Sequence, residues 1–255
     1  MRWRQWLPAL ALAAAWQVAR AGQPTPQVVL VQPSGVEVPA NLLRLSVVFE
    51  APIEGEVLSR IALAHADGRT IREPFLPQEL WSPDGKILTV LLHPGRVKTG
   101  LMAREQWGPI LSEGDDIVLT FDGRPIQHWH IGPVDANGPV VSAWRLSQVS
   151  LGSRQPLVVT LDAPIDGRDV DFLVVVGADD RLVEGSAQLR KGETTWAFTP
   201  GAAWRPGDYR LVIRGTLEDP SGNRLGGHFE TPMGSPQPIA TDASIAFRLG
   251  GDQPL

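Results

Sequence analysis

The chain has 255 residues and a net charge of −5, with 23 Lys and Arg against 28 Asp and Glu, and it contains no cysteine. The acidic balance excludes the basic stripe that nucleic-acid binding needs. The missing cysteine excludes disulfides, thiolate metal sites, a cysteine nucleophile and a lipidated cysteine. Gly (26) and Pro (23) together make nearly one residue in five, the level of short strands joined by many turns rather than of low-complexity sequence.

Residues 1–21 read as a signal peptide. Arg2 and Arg4 give a positive start, Leu7 to Val18 is a largely apolar run of twelve residues, and Ala19-Arg-Ala21 is a small-x-small cleavage site. That run falls short of the roughly 20 residues that span a bilayer. Cleavage before Gly22 removes Arg2, Arg4 and Arg20 and takes the net charge to −8. No later stretch is apolar enough for a transmembrane helix, so the expected location is periplasmic or extracellular.

From there on, strand signals dominate. Val28 to Val31 is a β-branched run closed by Pro33-Ser-Gly35. Leu45, Val47 and Phe49 alternate with more mixed residues, and Pro52 stops the strand. Ile61 to Ala64 runs into Asp67-Gly68, a hairpin signal, with a return strand expected from Ile71. Ser82-Pro-Asp-Gly85 introduces Ile87 to Leu92. Asp116 to Phe121 and Pro125 to Ile131 complete the first set. Val140 to Leu146, Leu157 to Leu161, Phe172 to Val176 with a return through Leu182-Val183, Thr194 to Phe198, Gly207 to Ile213 and Ser244 to Leu249 form a second set. Met233 to Ala240 reads as a loop.

The two sets are copies. Shifted by 112 residues, Leu45-Ser-Val-Val-Phe-Glu-Ala-Pro-Ile53 falls on Leu157-Val-Val-Thr-Leu-Asp-Ala-Pro-Ile165, and Ala66-Asp-Gly-Arg69 on Ala178-Asp-Asp-Arg181. By Gly207 to Ile213 the offset has fallen to 92, so the first copy carries about twenty extra residues between Pro94 and Pro109. A fixed-offset match signals a duplicated structural unit. Short strands with turns every eight to twelve residues predict an all-β chain of two tandem β-sandwiches. The expected boundaries are 22–132 and 140–255, joined by a Gly-, Pro- and Asn-containing linker at 133–139.

Each unit resembles the bacterial Ig-like domains of secreted and surface proteins. The features that carry this are the strand ending Phe49-Glu-Ala-Pro-Ile53, its copy Leu161-Asp-Ala-Pro-Ile165, and the late hairpin Leu217-Glu-Asp-Pro-Ser-Gly-Asn223. Residues 28 to 230 are also similar to a group of exported bacterial proteins through Glu79 to Gly85, Leu91 to Leu101, Trp196 to Pro200 and Trp204 to Leu211. His93 departs from that group, which more often has an acid there. The resemblance implies immunoglobulin-like sandwiches and says almost nothing of activity, because such folds host unrelated functions.

No nucleophile elbow, zinc-protease motif or phosphate loop is present, and no residue pattern implies a cofactor. The acid pairs Asp115-Asp116, Asp179-Asp180 and Glu218-Asp219 fall in turns, where acids are usually solvated or accept local hydrogen bonds. His128-Trp-His130 places two imidazoles on one strand face, half of a metal site with only Asp135 as a third ligand. The insertion is the one basic patch, carrying Arg96, Lys98, Arg104 and Trp107, and long loops on sandwich ends often carry recognition. Against this, Arg96 and Lys98 could pair within their own unit and hold the loop down. Six tryptophans follow the signal peptide, mostly core candidates, with Trp129 and Trp107 as possible surface contacts. The expected function is a non-catalytic binding or structural module of the bacterial cell envelope, acting through Arg96, Lys98, Arg104, Trp107 and Trp129 on an envelope protein or polysaccharide. The alternative is a carbohydrate-active or metal-handling accessory protein.

Overall fold

A computed structural model describes residues 26–227 and 240–250. The signal-peptide reading and all but the end of the 233–240 loop lie outside these residues. In the first half the strands are β1 (Val28–Gln32), β2 (Glu37–Pro39), β3 (Arg44–Phe49), β4 (Ile61–His65), β5 (Leu80–Trp81), β6 (Ile87–Leu91), β7 (Asp116–Phe121) and β8 (Arg124–Gly132). In the second they are β9 (Arg145–Leu146), β10 (Leu157–Thr160), β11 (Leu173–Val176), β12 (Gly185–Arg190), β13 (Thr195–Pro200), β14 (Gly207–Ile213) and β15 (Ala243–Leu249). Two short helices, α1 (Pro94–Val97) and α2 (Met102–Trp107), stand between β6 and β7.

The sheets repeat as the sequence does. The order β1-β3-β6-β5 in the first half corresponds to β9-β10-β13-β12 in the second, and β8-β7-β4 corresponds to β15-β14-β11. This is the immunoglobulin arrangement, A-B-E-D facing C-F-G. The first half splits its opening strand, and β2 runs parallel to β8 through Val38–Ile131. The chain is therefore an all-β, immunoglobulin-like sandwich protein.

Each half has its own core. Val47, Leu63, Leu88, Leu119 and Ile131 are among the residues of one cluster; Leu157, Val175, Trp196, Leu211 and Ile213 are among those of the other. Strand alternation selects them. Ile117, Leu119 and Phe121 of β7 are buried while Val118 and Thr120 are not. Burial of one such side chain is worth about 1.5–3 kcal/mol.

Two expected return strands shrink. After Asp67-Gly68 the chain makes one bridge, Ala64–Thr70, and an Ile71 N–H bond to the Leu63 carbonyl before Pro74 ends the ladder. After Asp179 one bridge, Val176–Leu182, precedes a crossing to the opposite sheet as β12. That strand escapes a sequence reading because only Ala187 and Leu189 of Gly-Ser-Ala-Gln-Leu-Arg face inward, and both remain half-buried. Val140 to Leu146 forms a 3-10 turn and a two-residue strand rather than one longer strand.

The halves meet through polar groups. Arg44, buried at the start of β3, forms ion pairs with Asp166 and Glu218 of the second half. The Ser34 N–H and hydroxyl donate to the Glu193 carboxylate at 2.8 and 2.7 Å. Asn41 donates to the Asp135 carbonyl and accepts from the Ser221 hydroxyl, and Asn223 donates to the same carbonyl. The 133–139 segment is thus pinned between the halves. At Gly192, with φ +63°, an added Cβ would lie 2.9 Å from the Gly35 Cα, so side chains are excluded where the two backbones cross.

Candidate functional site

The junction gathers Asp166, Asp169, Glu193 and Asp219, all buried. Burial pushes Asp169 and Asp219 up to about 6, although both accept hydrogen bonds that favour the charged form. Shifts of this size often mark reactive carboxylates. Here every one of these acids is engaged. Asp219 accepts from the Ser221 and Asn223 N–H groups at 2.8 and 2.9 Å and closes its own turn, as its sequence predicts. Asp169 accepts from the Glu218 N–H at 2.8 Å. The space beside Arg44 and Asp166 is about 10 Å³, scarcely room for one water. Of the two roles expected of turn acids, solvated or local acceptor, Asp219 takes the second, since the neighbouring half covers that turn.

The three connections of the second half that reach the junction are those after β10, β12 and β14. In variable immunoglobulin domains, the corresponding end of the sandwich carries recognition. Here Asp166, Glu193 and Glu218 commit it to the first half.

The insertion after β6 is built differently from the loop the sequence suggested. Pro94 occupies the first turn of α1, and the His93 Nδ1 accepts from the Gly95 N–H at 3.2 Å. Met-Ala-Arg-Glu-Gln-Trp forms α2, ended by Gly108 at φ 75°. The matching connection in the second half, between Pro200 and Gly207, has no helix.

Arg96 is only 6% exposed. Its guanidinium donates to the carbonyls of Arg72 (2.6 Å), Glu73 (3.3 Å), Gly108 (3.1 Å) and Pro109 (3.2 Å). Desolvation lowers its pKa, with Glu73 opposing. Arg104 donates to the Arg96 and Val97 carbonyls at 2.9 and 2.8 Å. Both arginines thus brace the insertion from within. Arg96 is corrected from a surface contact to a buried brace, held by carbonyls rather than by the carboxylates considered as its local partners. Lys98 follows α1 on the same segment.

Trp107, at the end of α2, stays 54% exposed, with the His93 ring edge-on at 6.4 Å. With Arg72, Glu73 and Arg96 it lines a cavity of about 220 Å³. Glu73 holds a left-handed φ of 46°, uncommon for a residue with a side chain and costing about 1–2 kcal/mol. This residue turns its carbonyl, with that of Arg72, onto Arg96.

Trp129 is corrected from surface contact to core. It is 2% exposed and donates its indole N–H to the Pro33 carbonyl. Inward alternation on β8 puts it opposite His128 and His130, which share the outer face. His130 meets Asp116 at 3.0 Å. Among the described residues, no set of three His, Asp or Glu is placed to hold a metal. Trp144, Trp196 and Trp204 are buried, with indole N–H bonds to Asp162, Val170 and Gln155. Trp107 is the exposed member of the set.

A wider, open groove of about 570 Å³ lies on the second half beside Tyr209 and Phe247, whose rings stack at 5.4 Å. An Arg210–Asp180 ion pair closes one side of it. The groove has no counterpart to the insertion.

No helix among the described residues is long and apolar enough to cross a membrane. No family model matches the chain, and no curated protein matches it. Solved structures similar to it include the Group B Streptococcus pullulanase SAP, at 8% identity and TM-score 0.25, covering 76% of this chain and 22% of that one. Titin domains I67–I69, in an E-to-A variant, match at 13% identity and TM-score 0.21, covering 80% of this chain and 57% of that one. Domains 5–6 of the S-layer protein SbsC match at 11% identity and TM-score 0.25, covering 88% and 98%. The chain spans less than two thirds of the pullulanase and titin chains. At these scores the fold rests on the strand order of the chain itself.

Proposed function

We propose that the chain is a non-catalytic binding module of the bacterial cell envelope, exported by residues 1–21 and acting in the periplasm or outside the cell. Its units are 22–132 and 140–255, joined by 133–139. The 94–109 insertion is the recognition element, and an envelope protein or polysaccharide is its partner. One observation carries this reading: the insertion belongs to the first copy alone, and it holds Trp107 exposed beside a cavity while the other tryptophan indoles among the described residues are at least partly covered. Buried aromatics need no partner, whereas an exposed one on a braced loop is an anchor waiting for one. Arg96 and Arg104 serve as the frame; Trp107 and Lys98 are the contacts.

The test is capture from envelope extracts by the immobilised chain, compared with Trp107→Ala and Lys98→Ala. Loss of the captured partner with Trp107→Ala places the site. Unchanged capture with both variants removes the insertion from the proposal.

A second reading, a spacer that sets the distance between its neighbours, is favoured by the ionic junction. Arg44, Asp166 and Glu218 fix one unit against the other, which a module acting through a single loop does not need.

A further inference from the structure

We propose that the Trp107 cavity binds the terminal sugar of an acidic polysaccharide, one ring carrying a carboxylate such as a hexuronic acid. The inference rests on the binding-module reading and names the ligand class of that same site. Four observations carry it.

The volume is about 220 Å³, below the roughly 300 Å³ at which pockets for drug-sized ligands begin. It accommodates a single ring, and a cavity, unlike a groove along a strand face, takes the end of a chain rather than its middle. An exposed indole supplies the apolar wall. The C–H face of a sugar ring is amphipathic in the way indole is, and such a surface offers contact area at low entropic cost.

The polar lining also suits a sugar acid. Arg72 and Glu73 stand side by side at the rim, one a donor fork and the other an acceptor, as ring hydroxyls require. Their mutual ion pair is loose, at 3.5 Å, and the Arg72 side chain is 91% exposed. Such a pair is worth little, so Arg72 can turn to a ligand carboxylate with the bidentate geometry that guanidinium favours.

Charge decides between neutral and acidic sugars. Two arginines face one glutamate in this lining, a local excess of positive charge on a chain whose net charge is −5. Arg96 spends its hydrogen bonds on carbonyls, which satisfy its N–H groups without cancelling its charge. A buried cation that makes no ion pair among the described residues, with the exposed Glu73 as the one carboxylate acting on it, leaves a net positive potential in a cavity that also holds Arg72. A neutral sugar gains nothing from that potential, whereas a uronate does.

The experiment is calorimetric titration of the full chain with trigalacturonate and with uncharged maltotriose. Trigalacturonate is expected to bind saturably and at least ten-fold more tightly than maltotriose, with the difference shrinking as salt rises. Trp107→Ala should lose both ligands by ten-fold or more. Arg72→Ala should bring the two ligands within about three-fold of each other. Both side chains are largely exposed, so both variants should keep the circular dichroism and melting temperature of the parent. Equal binding of the two sugars, no binding of trigalacturonate, or binding indifferent to Trp107→Ala overturns the inference. If no sugar binds but Trp107→Ala still abolishes capture of an envelope protein, the sugar assignment falls and the module reading stands. If capture also persists, both fall.

Discussion

Two arginines are buried among the described residues, and they are satisfied in opposite ways. Arg44 lies at the junction and is held by carboxylates, Asp166 and Glu218, contributed by the other unit. Arg96 lies in the insertion and is held by four carbonyls from its own unit. The chemistry follows the task. Carboxylates neutralise the charge and tie together two pieces whose apolar cores are separate clusters, and they raise the pKa of Arg44 despite its burial. Carbonyls satisfy geometry alone, so Arg96 pins a loop while its charge persists, and desolvation lowers its pKa. One arginine closes a surface; the other furnishes one.

The comparison breaks most severely at Arg44. Arg44→Met should cost about 3 kcal/mol, because the buried Asp166 loses its buried partner and keeps only the partly exposed Arg168, while the half-buried Glu218 keeps Arg224. Urea denaturation followed by tryptophan fluorescence should show this as two separated transitions, one per unit. A single transition at the parent midpoint would mean that the ion pairs are incidental to the junction. Next in size is Arg96→Lys, expected to cost about 2–3 kcal/mol, since an ammonium cannot reach four carbonyls and leaves some unpaired. The loss should be local: proteolysis should cut within 94–109 while the strands of both sandwiches persist.

That asymmetry explains what could be read from the sequence. The sandwich architecture was legible because alternation and duplication are local and periodic: Leu45, Val47 and Phe49 face one core, and Leu157 and Val159 the other. The insertion was legible as an offset change, and its basic residues as a patch. Its inner structure was not, because Arg96 meets carbonyls, which every sequence has and none advertises. Trp129, offered by the sequence as a surface contact, lies inside by the same alternation that places His128 and His130 outside. The junction passed unseen because its partners lie 122 and 174 residues apart. One sign was available. Arg44 interrupts Leu42-Leu43-Arg44-Leu45, and a charge within an apolar run is usually paired.

Proton binding at the junction sharpens the comparison at a smaller scale. The Asp169 carboxyl is raised to about 6 by burial, with Asp166 adding to the effect and Arg44 and Arg168 opposing it. Its ordinary value is 3.8. Between these values the folded state binds more protons than the unfolded state, so stability falls as pH rises through that window. Above about 6 the full penalty applies. Asp169→Asn keeps an oxygen for the Glu218 N–H and carries no charge, so it should stabilise the chain by about 1–2 kcal/mol at pH 7.5 and by almost nothing at pH 4. A gain independent of pH would show that the charge of Asp169 is not what the fold resists. The insertion offers no such group, and Arg96→Lys should cost the same at both pH values.

The smallest effect belongs to Glu73, where the brace at Arg96 is paid for in backbone strain. A left-handed residue with a side chain carries a conformational cost, and φ is 46° here. In this conformation its carbonyl and that of Arg72 accept from the guanidinium. Glu73→Gly should therefore stabilise the chain by about 0.5–1 kcal/mol, because glycine enters this region without steric penalty. Glu73→Ala removes the same carboxylate but keeps the Cβ, so it should give no gain. Melting curves of the two variants separate strain from charge. Equal stabilisation by both would assign the cost to the carboxylate instead, and the insertion would then be limited by electrostatics, as the junction is at Asp169.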